Sequence, residues 1–238
     1  MIFERIINLL FPQRCVGCGE ITSENEFLCE YCLEMLDTCI GDKFCTKCGS
    51  VKNDCVCKNR VFSFEGAAAA FYNEGIAQKA MYKLKFSRAV YFNKFFANNM
   101  ALALRQFFFG VKFDYMAFVP MYFSSKYRRG YNQSQLLAEE ISKILSIPLH
   151  SNILLCKKKK RRQHRTPIKE RFDNVKGIYY TEFVFHGETI LLIDDIKTTG
   201  ATLEECTKTL LKAGAGRVYC LTGLTTKRRK KKGKKNGN

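Results

Sequence analysis

From Val61 onward, apolar positions alternate between short runs of strand character and longer runs with helical spacing. Val61 to Tyr72 reads as a strand, Glu74 to Phe86 and Ala89 to Phe109 as helices, and Tyr115 to Pro120 as a second strand. Gln133 to Leu145 predicts a helix because Leu136, Leu137, Ile141, Ile144 and Leu145 fall on one face. Ile153 to Cys156, Ile178 to Phe185 and Ile190 to Ile193 read as strands, then Ala201 to Lys212 as a helix and Arg217 to Leu221 as a strand. Such alternation predicts an α/β domain with a mostly parallel sheet flanked by helices. In such sheets ligands bind beyond the carboxyl ends of the strands, at the switch point. The polar segment Lys157 to Asn174 lacks apolar periodicity and predicts a lid or a disordered loop. After Leu224 nothing can pack, so residues 225–238 are expected to form a disordered basic tail.

Upstream of Val61 the pattern changes. Ile2, Phe3, Ile6, Ile7, Leu9, Leu10 and Phe11 suit one short amphipathic helix, with neither a basic leader nor a small-residue cleavage site. The longest greasy stretch, Met100 to Phe123, is broken by Arg105, Gln106, Lys112 and Asp114, so no membrane span is predicted. The protein is expected to remain in the cytosol. Eight of the twelve cysteines form four close pairs: Cys15/Cys18, Cys29/Cys32, Cys45/Cys48 and Cys55/Cys57. A Cys-x-x-Cys step lets two thiolates converge on one ion, and two steps complete a tetrahedral sulfur shell. Gly19 and Gly49 follow the second ligand of their pairs, as a knuckle turn at positive φ requires. The expected compartment argues against a disulfide framework. One or two structural Zn²⁺ ions are therefore predicted, within an N-terminal helix and double zinc ribbon over residues 1–58 and ahead of the main domain at 59–224. Ligation in chain order is the simplest arrangement, an interleaved one uses the same eight residues, and Cys39 is a substitute ligand for the short Cys55-Val-Cys57 pair. Cys156, Cys206 and Cys220 sit among apolar residues and read as buried fillers.

Charge narrows the partners. The chain of 238 residues has 40 Lys+Arg against 22 Asp+Glu, a net charge of +18. Seven of those cations lie between Lys157 and Arg165 and eight between Lys227 and Lys235. Without these fifteen the balance is nearly neutral, so the basicity is two local devices suited to a polyanion or phosphate-bearing partner.

The sharpest chemistry lies in Ile190-Leu-Leu-Ile-Asp194-Asp195-Ile-Lys197-Thr198-Thr199-Gly200-Ala201-Thr202. Four apolar residues predict a buried strand, placing the acids at its carboxyl end. Thr198 to Thr202 then open a helix, whose unpaired N–H groups and three hydroxyls make a cradle for a phosphate dianion. Two carboxylates beside that cradle would repel the ligand unless they faced a diol or a metal ion, and a ribose 5-phosphate suits both halves. A second element, Val119-Pro120 through Lys126, Arg128, Arg129, Gly130, Tyr131, Asn132 and Gln133, places three cations between a strand end and a helix start. That chemistry suits a pyrophosphate. The third is Gln163-His-Arg165 through Lys169, Arg171 and Asn174, directly after the basic run.

The acid-and-threonine segment resembles the signature of the type I phosphoribosyltransferases. That resemblance implies 5-phosphoribosyl-1-pyrophosphate (PRPP) bound with Mg²⁺, with Asp194 and Asp195 on the ribose hydroxyls and Lys197 to Thr202 on the 5-phosphate. Together with the Arg-Gly-Tyr-Asn-Gln element, the four cysteine pairs and Leu84-Lys85-Phe86, residues from about 5 to 224 resemble the ComF/ComFC family of competence-associated proteins. Its members join a zinc ribbon to a phosphoribosyltransferase-like domain. The chain departs from that pattern at Ser87-Arg88, at Thr166-Pro167 and in its Lys-rich tail.

The resemblance implies a role in natural competence and DNA uptake, in one of two forms. In the first, an enzyme or switch, Lys126, Arg128 and Arg129 hold the pyrophosphate while Gln163, Arg165 and Arg171 arrive with a lid. In the second, a non-catalytic accessory factor binds single-stranded DNA and retains the pocket. A competence helicase docking on the ribbons is a further expected partner. No residue nominates the acceptor.

Overall fold

In the computed structural model, which describes residues 12–23, 26–39, 44–55, 57–86, 92–157 and 168–227, the apolar runs assemble a four-stranded sheet. Its strands are β1 (Gly66–Tyr72), β2 (Tyr115–Phe118), β5 (Thr189–Lys197) and β6 (Arg217–Thr225), in the order β1-β6-β5-β2 and parallel throughout. A separate antiparallel pair joins β3 (Leu155–Cys156) to β4 (Tyr179–Tyr180). The helices are α1 (Glu30–Glu34), α2 (Gly75–Phe86), α3 (Phe92–Phe107), α4 (Phe123–Arg129), α5 (Gln133–Leu145), α6 (Ile168–Asp173) and α7 (Ala201–Lys212). None of the described helices is long and apolar enough to cross a membrane.

Residues Ile190 to Ile193 are fully buried because β5 is covered on both faces, as a continuous apolar run in a parallel sheet requires. Leu191 and Ile193 share one core with Phe96 of α3 and Leu137 of α5. Ile190 and Leu192 point the other way, into a core with Leu203 and Leu210 of α7. Thus α5, the second helix after β2, packs on one face and α7, which follows β5, on the other. Adjacent strands whose connections diverge in this way define a switch point, and the cleft opens there.

The cysteine-rich segment closes the far side. Cys39 N–H donates to Ala70 O at 2.8 Å and Ala67 N–H to Thr46 O at 3.0 Å, so segments of the ribbon cover the outer edge of β1. An uncovered edge would invite pairing with another chain. The alanines of β1 permit close approach: a Cβ on Gly49 would lie 2.6 Å from Ala67 O. Cys15, Val16, Leu28 and Cys32 are buried in the same core as Phe71 and Phe95. The ribbon therefore contributes to the main core.

Several boundaries differ from the sequence expectation. β1 begins at Gly66 instead of Val61, because Ser63 turns aside to bond Glu204. The run from Ile178 to Phe185 supplies only two strand residues, paired with β3 outside the main sheet. β5 and β6 each run four residues beyond their predicted ends because they pair with each other as far as Lys197 and Thr225. The tail starts later than expected: Thr225 is buried in β6, and Lys227 pairs with Asp37 and Glu74. α4 and α6 occupy segments read as loops. The predicted N-terminal helix and the rest of the tail lie outside the described residues.

Candidate functional site

The cysteines form two sets in chain order, Cys15/Cys18/Cys29/Cys32 and Cys45/Cys48/Cys55/Cys57, with all sulfurs of a set within 4.8 Å of one another. Cys18 and Cys29 are 3.7 Å apart, Cys45 and Cys57 3.7 Å, and Cys48 and Cys55 3.8 Å. Zn–S bonds of about 2.3 Å place tetrahedral sulfurs about 3.8 Å apart, whereas a disulfide needs about 2.05 Å. The donor set therefore fits zinc, and the sequential arrangement is the one adopted. Both knuckles are built alike. Gly19 N–H bonds Cys15 O and Gly49 N–H bonds Cys45 O, with φ of +88° and +62°. Burial pushes the Cys32 and Cys57 thiols up, and neighbouring cysteines push the same way. Four thiolates can coexist there only around a cation. Cys39 belongs to neither set: it is buried with Phe44, Ala69 and Tyr72, and burial pushes its thiol up to about 12.

At the carboxyl end of β5 a cavity of about 310 Å³ is lined by Asp194 and Asp195, by Lys85 of α2, by Arg129 of α4 and by Gln133 and Ser134 of α5. Its remaining wall is Val119 to Tyr122, Ser125, Asn132 and Cys156. Asp194 is 8% exposed and accepts from Ser134 Oγ at 2.9 Å and from Asp195 N–H at 2.9 Å. Asp195 is ion-paired with Lys85, which balances its charge. Lys85 is positioned through its neighbour: Tyr131 O–H donates to Leu84 O, tying the end of α2 to the loop before α5. Asn132 pins that loop, donating to Val119 O at 3.0 Å and capping α5 by accepting from Ser134 N–H at 3.1 Å. Gln133 is 1% exposed, and its amide nitrogen has no hydrogen-bond partner among the described residues. A buried donor on a cavity wall is suited to a ligand's acceptor.

Beside this cavity the chain turns through Thr198, Thr199 and Gly200 into α7. A recess of about 30 Å³ is bordered by Asp194 and residues 196–203. Thr198, Thr199, Gly200, Ala201 and Thr202 therefore stand together where a helix N-terminus offers its free N–H groups. Lys197 is the exception. It borders the recess but is 5% exposed, and its ammonium donates to Thr225 Oγ1 at 3.2 Å on the neighbouring strand.

The predicted cations are dispersed. Arg129 lines the cavity, bonded to Gln133 Oε1 and lying 5.2 Å over the Phe86 ring. Lys126 and Arg128 are exposed on α4, Lys126 donating to Gln135 Oε1 at 3.4 Å, and neither borders the cavity. Arg171 is half-buried on α6 and does not line it either. Gln163 and Arg165 lie outside the described residues. Cys156, expected as a buried filler, is half-buried in the cavity wall, whereas Cys206 and Cys220 are buried as expected. Lys85, Ser125 and Ser134 complete the site without having been singled out for it, and Gln133 was named only as the end of the Arg-Gly-Tyr-Asn-Gln element. The asparagine cap was a readable pointer to Ser134. Lys85 had only its place in Leu84-Lys85-Phe86.

Residues 6–60 match the double zinc ribbon domain family. The chain is 36% identical over 103 residues to competence protein F of Haemophilus influenzae, covering 42% of this chain and 45% of that protein. It is 32% identical over 110 residues to DNA utilization protein YhgH of Escherichia coli K12, covering 45% and 48%. The chain spans about half the length of the curated relatives it matches. Among solved structures it superposes distantly on a purine phosphoribosyltransferase from Pyrococcus horikoshii, with TM-score 0.36 and 20% identity over 58% of this chain and 85% of that one. TT1426 from Thermus thermophilus gives TM-score 0.36 and 14% identity over 56% and 74%. The ribbon match and the two curated relatives bear out the resemblance to the ComF family over the part of the chain that they cover.

Proposed function

We propose that this chain binds PRPP with Mg²⁺ in the cavity at the end of β5 and acts in the handling of incoming DNA, with two structural zinc ions in its ribbon. The observation that carries the reading is the meeting, in one cavity, of the Asp194/Asp195 pair with Arg129 and the buried amide of Gln133, beside the threonine turn. The acids suit the ribose diol, the turn suits the 5-phosphate, and Arg129 with Gln133 suits the pyrophosphate. Mg²⁺ would screen the pyrophosphate charge as that group leaves C1 in a phosphoribosyl transfer. The link to DNA uptake rests on the names of the two curated relatives.

A second reading, a single-stranded-DNA-binding factor, has its own observation. Phe86, Phe123 and Tyr127 are exposed beside the cations of α4, and Tyr82 packs 4.6 Å from Phe86. Exposed aromatics interleaved with Lys and Arg suit base stacking. Titration calorimetry at two salt concentrations tests both readings. PRPP is expected to bind one site per chain with modest salt dependence, and an oligonucleotide to weaken steeply as salt rises. Absence of PRPP binding beside salt-sensitive oligonucleotide binding would overturn the first reading in favour of the second.

A further inference from the structure

The second cysteine set packs on the core that holds Ala201 and Leu203 at the start of α7, and the chain leaving Cys57 reaches the phosphate turn at Phe62. Phe62, five residues beyond that ligand, lies under the turn, so that a Cβ on Gly200 would approach its ring to 3.2 Å. Ser63 donates from both its N–H and its hydroxyl to the two oxygens of Glu204, each at 2.8 Å. Glu204 is 6% exposed in the first turn of α7, and its own N–H bonds Gly200 O at 2.9 Å. Between Cys57 and Phe62, the Arg60 guanidinium sits 3.7 Å over the Phe172 ring of α6.

The other side of the turn leads to the same place. Lys197 donates to Thr225 Oγ1, which donates in turn to Gly49 O at 3.5 Å, at the knuckle between Cys48 and the rest of that set. Both residues flanking the turn, Lys197 and Glu204, are thus hydrogen-bonded toward segments whose shape the second set fixes. The first set has no such connection among the described residues. It packs on the opposite face, with Cys15 and Cys32 in the core that holds Ala77, Met81 and Phe95.

We propose that the metal state of the second cysteine set controls the phosphate turn, with Ser63, Glu204 and Lys197 as the positioning residues. The ligand chemistry of the turn rests on the PRPP reading; the coupling does not. A four-cysteine loop has little core of its own and keeps its shape through the ion. When the ion leaves, residues 58–63 lose their anchor and Ser63 withdraws from Glu204. Glu204 then keeps its ion pair with Lys208, at 3.1 Å through Oε1, while its other oxygen competes with a phosphate for the N–H groups of the turn. The protein would then hold phosphate ligands only while this site is metallated, which makes it a sensor of zinc supply.

The test compares amide hydrogen exchange in the full zinc-loaded chain with that of Cys45→Ser/Cys57→Ser and Cys15→Ser/Cys18→Ser. Loss of the second set is expected to speed exchange over residues 198–205 by about tenfold or more while residues 76–84 stay protected, and loss of the first to do the reverse. Ser63→Ala and Glu204→Ala, which keep all eight cysteines, cover the case in which a cysteine variant does not fold. Both are expected to loosen residues 198–205 with zinc content unchanged and residues 190–193 still protected, and Glu204→Gln, which retains acceptors for Ser63, is expected to recover part of the protection. Equal exchange at residues 198–205 in wild type and the second-set variant, or equal acceleration in both cysteine variants, would overturn the proposal. Exchange reads the coupling even if PRPP does not bind, so failure of the ligand reading and failure of the coupling give different results.

Discussion

Removing zinc with a chelator is expected to unfold the cysteine-rich segment and to lower the unfolding midpoint of the whole chain. Structural zinc supplies about 10–16 kcal/mol of apparent folding free energy in small zinc modules. Here the effect reaches further, because the ribbon is not a separate bead. Val16, Leu28 and Cys32 share a core with Phe71 and Phe95, and Cys48 is buried with Phe64 and Val218. The ribbon also covers the edge of β1 through Cys39 and Thr46. Metal analysis should find two zinc ions per chain, and urea unfolding followed by circular dichroism should show one transition that shifts when they are removed. A helical signal that melts at the same urea concentration with and without zinc would mean that the boundary near residue 58 separates independent domains.

Substitutions at the acid pair form the second large effect, and they should separate. Asp195 faces the cavity and is paired with Lys85, both partly exposed, so Asp195→Asn leaves a lysine that can still reach water. A hydrogen bond to a charged group is worth about 1.5–3 kcal/mol, so losing it from the ligand should weaken PRPP binding about tenfold or more. Stability should change by less than about 1 kcal/mol, as for a partly exposed ion pair. Asp194 is different. Its carboxylate receives Ser134 Oγ and Asp195 N–H in a buried position, so Asp194→Ala leaves both donors without an acceptor. That should lower stability by about 1–3 kcal/mol in addition to removing ligand affinity. Calorimetric titration and urea unfolding on the same two variants read the split.

What was legible in the sequence was what local pattern determines. The bounds of α5 and α7 were readable because Asn132 caps one and Thr-Thr-Gly opens the other, each ahead of a strong apolar stripe. The sulfur sets followed from spacing and compartment. α4 was not readable, since Phe123, Lys126, Tyr127 and Arg128 are exposed and none of its residues is buried, so no periodic face marks it. Lys85 was not assigned to the site because its place depends on Tyr131 bonding the O of Leu84, from which it is separated by 47 positions. Lys197 was assigned to the turn because β5 was taken to end at Ile193. Four further residues of strand, paired with a β6 that itself runs on to Thr225, direct its ammonium to that threonine. Both features rest on contacts between distant segments, which periodicity does not encode.

A crystal structure of the zinc-loaded protein with Mg²⁺ and PRPP tests most directly whether the end of β5 is a ribose-phosphate site. It should show the ribose hydroxyls on Asp194 and Asp195, the 5-phosphate against the N–H groups of residues 198–202, and the pyrophosphate toward Arg129 and Gln133. PRPP bound elsewhere, or absent from a fully accessible cavity at saturating concentration, would contradict it.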